Sequence, residues 1–256
     1  MTTDRSVVLL CRDDQVSRML YASLKNELYV KCVIVESPPS VFSILRRRVR
    51  FLGLKTVIGQ VLFLIFARFL RLMSSKRLLH IISDNNLIDL GFTGTTVEYV
   101  ESVNSNDTAR LLKRYDPDAV VVNGTRIISK DIILSINSPF INGHMGITPR
   151  YRGVHGGYWA LVNDDIDNCG VSVHLVDEGI DTGGIIYQDR IYITKQDSYV
   201  TYPFLQIAKL IPLIKATLQD VFADNLVVVE GTPDSNLWYH PTLLQYIKYR
   251  LFDKIK

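Results

Sequence analysis

Short apolar runs alternate with a segment of helical spacing at the start of the chain. Residues 7–11 form an unbroken apolar run, residues 15–26 carry apolar side chains at helical spacing, and residues 30–35 form a second, mostly apolar run. Strands buried on both faces have this continuous apolar character, and they occur in parallel sheets covered by helices. The pattern predicts the β-α-β opening of an α/β domain.

The same alternation returns after residue 95. Strands are predicted at 96–100, 118–122, 139–142, 169–179, 184–193 and 226–230, and helices at 107–115, 129–136, 202–222 and 242–255. A chain of 256 residues with 47% apolar composition is long enough for one sizeable core. We therefore predict an α/β, Rossmann-like fold with a mostly parallel central sheet flanked by helices. Residues 1–200 are expected to form a catalytic domain and residues 201–256 a helix-strand-helix extension.

Residues 41–82 interrupt this pattern and are predicted to be a helical insertion. Residues 41–77 hold nine basic side chains and no Asp or Glu. The twelve uncharged residues 56–67 are fewer than the roughly 20 that span a bilayer. We expect helices with one face on the protein, capping the N-terminal domain near the entrance of the site. Their basic rim is a candidate for peripheral membrane contact or for binding a pyrophosphate-bearing substrate.

Charge and cysteine content exclude several classes of protein. The net charge of +3 is too small to indicate a nucleic-acid binder. Cys11, Cys32 and Cys169 are scattered, so neither a metal site nor a disulfide framework is predicted, and a reducing compartment fits best. The first apolar run has five residues, which predicts no signal peptide. We expect a cytoplasmic protein, with the inner membrane surface as a candidate location.

Three polar side chains are the candidates for chemistry. Asn142 and His144 follow an apolar run, and Asp181 lies in a glycine-rich turn after a later strand. Ligands of open α/β sheets bind at the carboxyl ends of strands. Asp181 is expected to orient His144 and to raise its pKa, so that an imidazolium and the Asn142 amide stabilise an oxyanion. No Ser or Cys stands beside them, which indicates direct acyl transfer to an amine.

The segments that surround these residues resemble the folate-dependent formyltransferase family. The family pattern is Asn-x-His, then a Pro-x-Tyr/Trp-Arg-Gly loop, then Asp-Glu-Gly-hydrophobic-Asp-Thr-Gly. It is met at "NGH" (142–144), "PRYRG" (149–153) and "DEGIDTG" (177–183). The resemblance covers about residues 118–193, and the basic insertion departs from it. It implies a formyltransferase fold with a helical insertion at about 41–82 and a short C-terminal helical appendage.

The resemblance also implies a co-substrate and a role for each site residue. The formyl donor would be N10-formyltetrahydrofolate, with no metal. Asn142 and His144 would stabilise the oxyanion, and Asp181 would hold His144 and relay the amine proton. The folate would lie against Thr125, Arg126, Ile127, Asp177, Gly179 and Ile180. The acceptor would be bound by Arg150, Tyr151, Arg152 and His155.

The departures from the family favour one acceptor class. The turn at 12–15 has no glycine to bind a ribonucleotide phosphate, and the residues after 203 are too few for a tRNA-binding barrel. We expect a nucleotide-linked amino deoxysugar, whose product enters surface polysaccharides such as lipopolysaccharide. Hydrolysis of formyltetrahydrofolate and formylation of another small amine remain alternatives. The alternative outside the enzymes is a non-catalytic Rossmann-like protein that binds a ligand. Whether the chain forms a homodimer is left open by the sequence.

Overall fold

The computed structural model describes residues 5–256, which form strands and helices in alternation. The strands are β1 Ser6–Cys11, β2 Tyr29–Glu36, β3 Thr96–Val100, β4 Ala119–Asn123, β5 Phe140–His144, β6 Arg152–Gly153, β7 Gly170–Leu175, β8 Ile185–Arg190 and β9 Leu237–Trp238. The helices are α1 Gln15–Lys25, α2 Val41–Leu52, α3 Leu54–Met73, α4 Ser75–Asp84, α5 Asn106–Tyr115, α6 Lys130–Ile133, α7 Gly156–Val162, α8 Tyr202–Phe222 and α9 Leu243–Phe252.

Seven strands form the central sheet in the order β3-β2-β1-β4-β5-β7-β8. The strands from β3 to β5 are parallel, whereas β7 pairs antiparallel with β5 and with β8. β1 and β4 are buried along their whole length, as their apolar sequence requires at the centre of a sheet covered on both faces. The predicted α/β fold with a mostly parallel sheet is confirmed.

A second, two-stranded sheet joins β6 to β9. The pattern of apolar residues gives no sign of it, because each strand has only two residues. Near 226–230, where a strand was predicted, the structure has an isolated bridge between Val229 and Ile185.

α8 packs directly on the sheet. Leu210 and Ile214 of α8 are buried in the cluster that covers one sheet face. Gly143 of β5 lies under this helix so closely that a Cβ there would stand 2.9 Å from Ile214 Cδ1. The boundary between residues 200 and 201 stays a prediction, and the first helix after it belongs to the sheet core.

The insertion is helical, as the sequence predicted. α3 packs on α9, where a Cβ at Gly59 would stand 2.8 Å from Thr242 Cβ, and buried Phe63 packs edge-on against Tyr199. α4 instead reaches the N-terminal core through Leu78. The expected cap on the N-terminal half is therefore formed by α4, while α3 covers the C-terminal segment.

α3 is longer than its uncharged run of twelve residues. Among the described residues it is the one helix that is long and apolar enough to cross a membrane by length and composition, with 20 residues and a mean hydropathy of 1.7 over an 18-residue stretch. Only 22% of its most apolar stretch is buried inside the protein. The apolar segment counted from the sequence, residues 56–67, is shorter than the helix because the helix also includes Lys55 and Arg68.

Candidate active site

β5 and the turn after β7 deliver the three candidate side chains to one edge of the sheet. Asn142 and His144 are two residues apart on β5, so they share one face of the strand. The chain then returns through β7 and brings Asp181 back in a left-handed backbone conformation, with φ of 51°. Strand alternation and one tight turn thus build the constellation.

The Asp181 carboxylate lies among several donor groups. Its Oδ2 accepts the Gly153 N–H at 3.0 Å and stands 3.4 Å from His144 Nδ1. Its Oδ1 lies 3.4 Å from Asn142 Nδ2. The structure therefore brings Asn142, His144 and Asp181 together. His144 and Asp181 are close enough to share a proton between Nδ1 and Oδ2.

Burial sets the charge of His144. Desolvation lowers the pKa of this imidazole, and the opposing effect of Asp181 does not restore it. The expected imidazolium is thus not the resting form. His144 Nε2 lies 2.8 Å from the Tyr151 carbonyl oxygen, which can only accept a hydrogen bond. A neutral ring with its hydrogen on Nε2 leaves Nδ1 free to take up a proton beside Asp181.

Asp181 keeps its negative charge. Burial alone would raise the pKa of its carboxyl group, but the positive charge that His144 or His174 gains on protonation, and the Gly153 N–H that donates to the carboxylate, hold that pKa well below its usual range. An ionised carboxylate beside a neutral imidazole with a free nitrogen is a site that can accept a proton.

His174 belongs to this site, although the sequence analysis did not select it. It is directly opposite Asn142 in the β5–β7 pair, and its side chain is buried. Its Nδ1 lies 2.7 Å from the Leu175 carbonyl oxygen and so carries the hydrogen. Its Nε2 is 3.1 Å from Asn142 Nδ2 and accepts from that amide. The alternating pattern of 169–179 indicates which residues share a face of the strand with His174. It does not indicate that His174 is opposite Asn142, because that depends on the antiparallel register of β5 and β7.

The three side chains lie in an open cleft of about 540 Å³. Two residues from the turn after β1, Arg12 and Asp14, also line it, as does Gln206 of α8. The lining includes every residue that the resemblance assigns to the folate, namely Thr125, Arg126, Ile127, Asp177, Gly179 and Ile180.

Arg126 is held by the protein itself. Its Nε donates to Glu36 Oε1 at 2.6 Å, and its Nη2 donates to the Glu101 carbonyl oxygen at 2.7 Å. Glu36 is fully buried and also accepts the Arg126 backbone N–H at 3.1 Å. This side chain therefore fixes the loop after β4, and a folate would meet the loop rather than a free guanidinium.

The four residues expected to bind the acceptor separate into two groups. Arg150 pairs with Asp165 and Asp234, and the hydroxyl of buried Tyr151 donates to Asp165 at 2.9 Å. Both line a different depression, away from the cleft. The side chains of these two residues are not at the candidate site, because acidic partners hold them elsewhere, and Tyr151 reaches it only through its carbonyl oxygen, which contacts His144.

Arg152 and His155 remain near the candidate site. Arg152 donates from Nη1 to the Ile180 carbonyl oxygen at 2.9 Å, which supports the turn that carries Asp181. His155 lines the cleft. Burial, with a smaller contribution from His240, lowers the pKa of His155 to about 3, so this residue is a neutral ring at physiological pH.

The fold and the site define an α/β protein with a polar proton-accepting cluster at the carboxyl end of its parallel strands. A family model described as Formyl transferase matches residues 65–203, more than half of the chain. The chain therefore belongs to the formyl transferase family.

Curated relatives match a limited part of the chain. A methionyl-tRNA formyltransferase of Pelotomaculum thermopropionicum is 37% identical over 93 residues, which cover 36% of this chain and 29% of the relative. The corresponding protein of Thermodesulfovibrio yellowstonii is 34% identical over 102 residues, covering 40% and 33%. The matched segment thus spans about a third of these relatives.

Solved structures match most of the fold. A sugar N-formyltransferase from Shewanella sp FDAARGOS_354 has a TM-score of 0.55 at 14% identity and covers 91% of this chain and 76% of its own. Phosphoribosylglycinamide formyltransferase from Bacillus Halodurans has a TM-score of 0.55 at 18% identity, covering 86% and 96%. The N-formyltransferase from Helicobacter canadensis, solved with folinic acid and dTDP-3-aminofucose, has a TM-score of 0.55 at 15% identity, covering 91% and 70%. At these identities the likeness concerns the fold.

Proposed function

We propose that the chain transfers a formyl group from N10-formyltetrahydrofolate to the amine of a nucleotide-linked amino deoxysugar. The convergence of Asn142, His144 and Asp181 in one open cleft carries the proposal. Within residues 5–256 no cysteine lines this cleft, and burial raises the pKa of Cys11, Cys32 and Cys169. A covalent thioester route therefore lacks a nucleophile, which favours direct attack by the acceptor.

The proposed reaction divides the work between two groups. The acceptor nitrogen forms a bond to the formyl carbon, and the bond from that carbon to N10 of the folate breaks. His144 Nδ1 and Asp181, 3.4 Å apart, take the proton that leaves the acceptor amine and return one to N10. Asn142 Nδ2 has two hydrogens, of which His174 accepts one and Asp181 Oδ1 accepts the other across 3.4 Å; the second would leave Asp181 for the developing oxyanion.

A cation in the cleft supports an acceptor that carries phosphates. Arg12 lines the cleft after β1, and its Nε is buried without a hydrogen-bond partner among the described residues. Glu36 Oε2 stands 3.7 Å away, beyond hydrogen-bond distance. The Arg12 side chain is nonetheless 37% exposed, so its guanidinium would meet a diphosphate in the cleft through its exposed nitrogens while Nε stays paired with Glu36. The Helicobacter canadensis structure, which shares the fold, contains dTDP-3-aminofucose.

The proposed location is the cytoplasm, at or near the inner face of the membrane. The three cysteines are free and buried, as a reducing compartment permits.

An assay with purified chain tests the proposal. N10-formyltetrahydrofolate is supplied with dTDP-linked 3-amino or 4-amino deoxysugars, and mass spectrometry follows addition of one formyl group. Release of tetrahydrofolate without any acceptor would indicate a hydrolase instead. Formylation of methionyl-tRNA, the substrate named for the sequence relatives, would replace the sugar in the proposal. The absence of turnover with every acceptor, together with no folate binding, would leave a non-catalytic protein.

A further inference from the structure

α3 is apolar on two opposite faces. One face carries Phe63 and Leu70 into the protein. The opposite face presents Ile58, Leu62, Ile65, Phe69 and Leu72, a stripe at helical spacing whose side chains are 49–73% exposed. A helix that is apolar all round belongs in a core or against lipid, and here the core supplies only one side. This exposed stripe is unlike the scattered apolar residues of an ordinary surface.

The neighbouring helix α2 enlarges the exposed apolar area. α2 exposes Phe42 and Phe51, each about three-quarters exposed, and has no buried residue. α9 packs on α3 and exposes Leu244 and Phe252 to a similar degree. Leu244 and Phe252 lie on the side of α9 away from Tyr246, the residue that packs on α3, so the basic-apolar face is formed by the exposed apolar residues and cations of α2 and α3.

The charges around the basic-apolar face have a single sign in the insertion. Residues 41–83 contain nine Lys and Arg and no Asp or Glu. Among the residues that the structure describes, only Arg77 of these nine forms an ion pair, with Asp197. Arg46, Arg47 and Arg50 are exposed on α2. An exposed apolar surface with cations at its rim complements anionic headgroups above an apolar layer.

We propose that the basic-apolar face docks on an anionic lipid surface, with α3 lying in the plane of the interface. A symmetric dimer through the same face would bring the unpaired cations of two insertions together, which disfavours that occupant. If α3 crossed the bilayer, its inner face would lose its contacts with the rest of the protein. That face includes Gln60, which is buried and donates to the His240 carbonyl oxygen at 2.8 Å.

The end of α3 lies close to residues that line the cleft. Near the end of α3, Arg71 donates from Nη2 to Gln15 Oε1 at 2.7 Å and lies 5.2 Å above the Phe204 ring. Asp14 and Pro203, the sequence neighbours of these two contacts, line the cleft. An acceptor presented at the membrane surface would thus meet the cleft mouth directly.

Vesicle sedimentation of the full chain tests the proposal without depending on the acceptor. Binding is measured on phosphatidylcholine vesicles with and without phosphatidylglycerol, at low and high salt. The charge variant is Arg46→Gln/Arg47→Gln/Arg50→Gln, and its matched control on α5 is Arg110→Gln/Lys113→Gln/Arg114→Gln. The apolar variant is Ile65→Ser/Phe69→Ser, and its control is Leu134→Ser/Ile166→Ser.

Each lost cation is expected to weaken binding to anionic vesicles about fivefold, so the charge variant should bind roughly a hundredfold more weakly. The apolar variant should lose at least about tenfold, and both controls should bind as the parent does. Equal binding to both vesicle types, or equal losses in variants and controls, would overturn the proposal. The face would belong to a second copy of the chain if two results were found together: the parent forms a stable dimer that does not bind vesicles, and the apolar variant is a monomer.

Discussion

The charge state of the His144–Asp181 pair is decided by single residues. Burial lowers the pKa of His144, and the groups around Asp181 lower the pKa of that carboxyl group, so both are unprotonated at neutral pH. Asp181→Asn removes the charge that would stabilise a protonated His144. We expect kcat to fall by about 10²-fold or more, with little change in acceptor KM.

Steady-state kinetics of the Asp181→Asn enzyme would measure this effect, with Asp189→Asn on the edge strand β8 as the control. Asp189 pairs with Lys209 and lies outside the cleft. Unchanged kcat in Asp181→Asn would remove the carboxylate from the mechanism.

Buried neutral histidines make the stability sensitive to acid. Burial lowers the pKa of His155 to about 3 and that of His240 to about 4, whereas an unfolded chain protonates histidine near pH ~6.5. The folded state therefore binds fewer protons, and stability that is fully present above about pH 6.5 is lost as the pH falls toward the folded-state pKa. His240→Asn should reduce the slope of unfolding free energy against pH by about 1.4 kcal/mol per pH unit in this window.

Urea unfolding between pH 8 and pH 4.5 would measure the two slopes. Above pH 7 the parent and His240→Asn curves should run parallel, since both proteins then hold neutral side chains at this position. Parallel curves throughout the acid range would show that His240 is protonated equally in both states.

Among the elements, β5 and α8 set the position of the catalytic side chains. Gly143 lies between Asn142 and His144 and under Ile214 Cδ1, where an added Cβ would stand 2.9 Å away. Gly143→Ala should cost about 1–3 kcal/mol of stability and should also lower kcat, because the strand must shift. Ile214→Val removes the obstructing methyl group and alone should cost about 0.5–1.5 kcal/mol.

The double variant Gly143→Ala/Ile214→Val is expected to be about 1 kcal/mol more stable than the sum of the single effects. It should also recover part of the kcat. Additive effects in denaturation and kinetics would mean that the strand does not depend on this contact. Gly170→Ala is the contrasting case, because its Cβ would stand 2.2 Å from the Asp189 carbonyl oxygen and no side chain can yield there.

Elements also show where sequence reasoning succeeds. β1 and β4 are recognisable because their apolar residues are buried on both faces, and the position of Asn142 and His144 at a strand end follows from that pattern. The pairing of His174 with Asn142 depends on the register of two strands 32 residues apart. The diversion of Arg150 depends on Asp234, 84 residues further along the chain. Such contacts are set by tertiary packing, and the local pattern of apolar and polar residues does not predict them.

For the whole molecule, the cleft should have two binding regions that respond to different ligands. Loop residues around Thr125 and Ile180 are proposed to receive the folate, and Arg12, on the other side of buried Glu36 from Arg126, is proposed to receive the acceptor diphosphate. A ligand at about 100 times its Kd adds about 2.7 kcal/mol to the stability. Thermal melts should therefore show a rise in Tm of roughly 5 °C or more with 5-formyltetrahydrofolate and with dTDP, and none with NAD.

Arg12→Gln should abolish the dTDP shift and retain the folate shift, and the retained folate shift also shows that the cleft is intact. Loss of both shifts would mean that Arg12 supports the fold of the cleft, and a retained dTDP shift would place the diphosphate elsewhere.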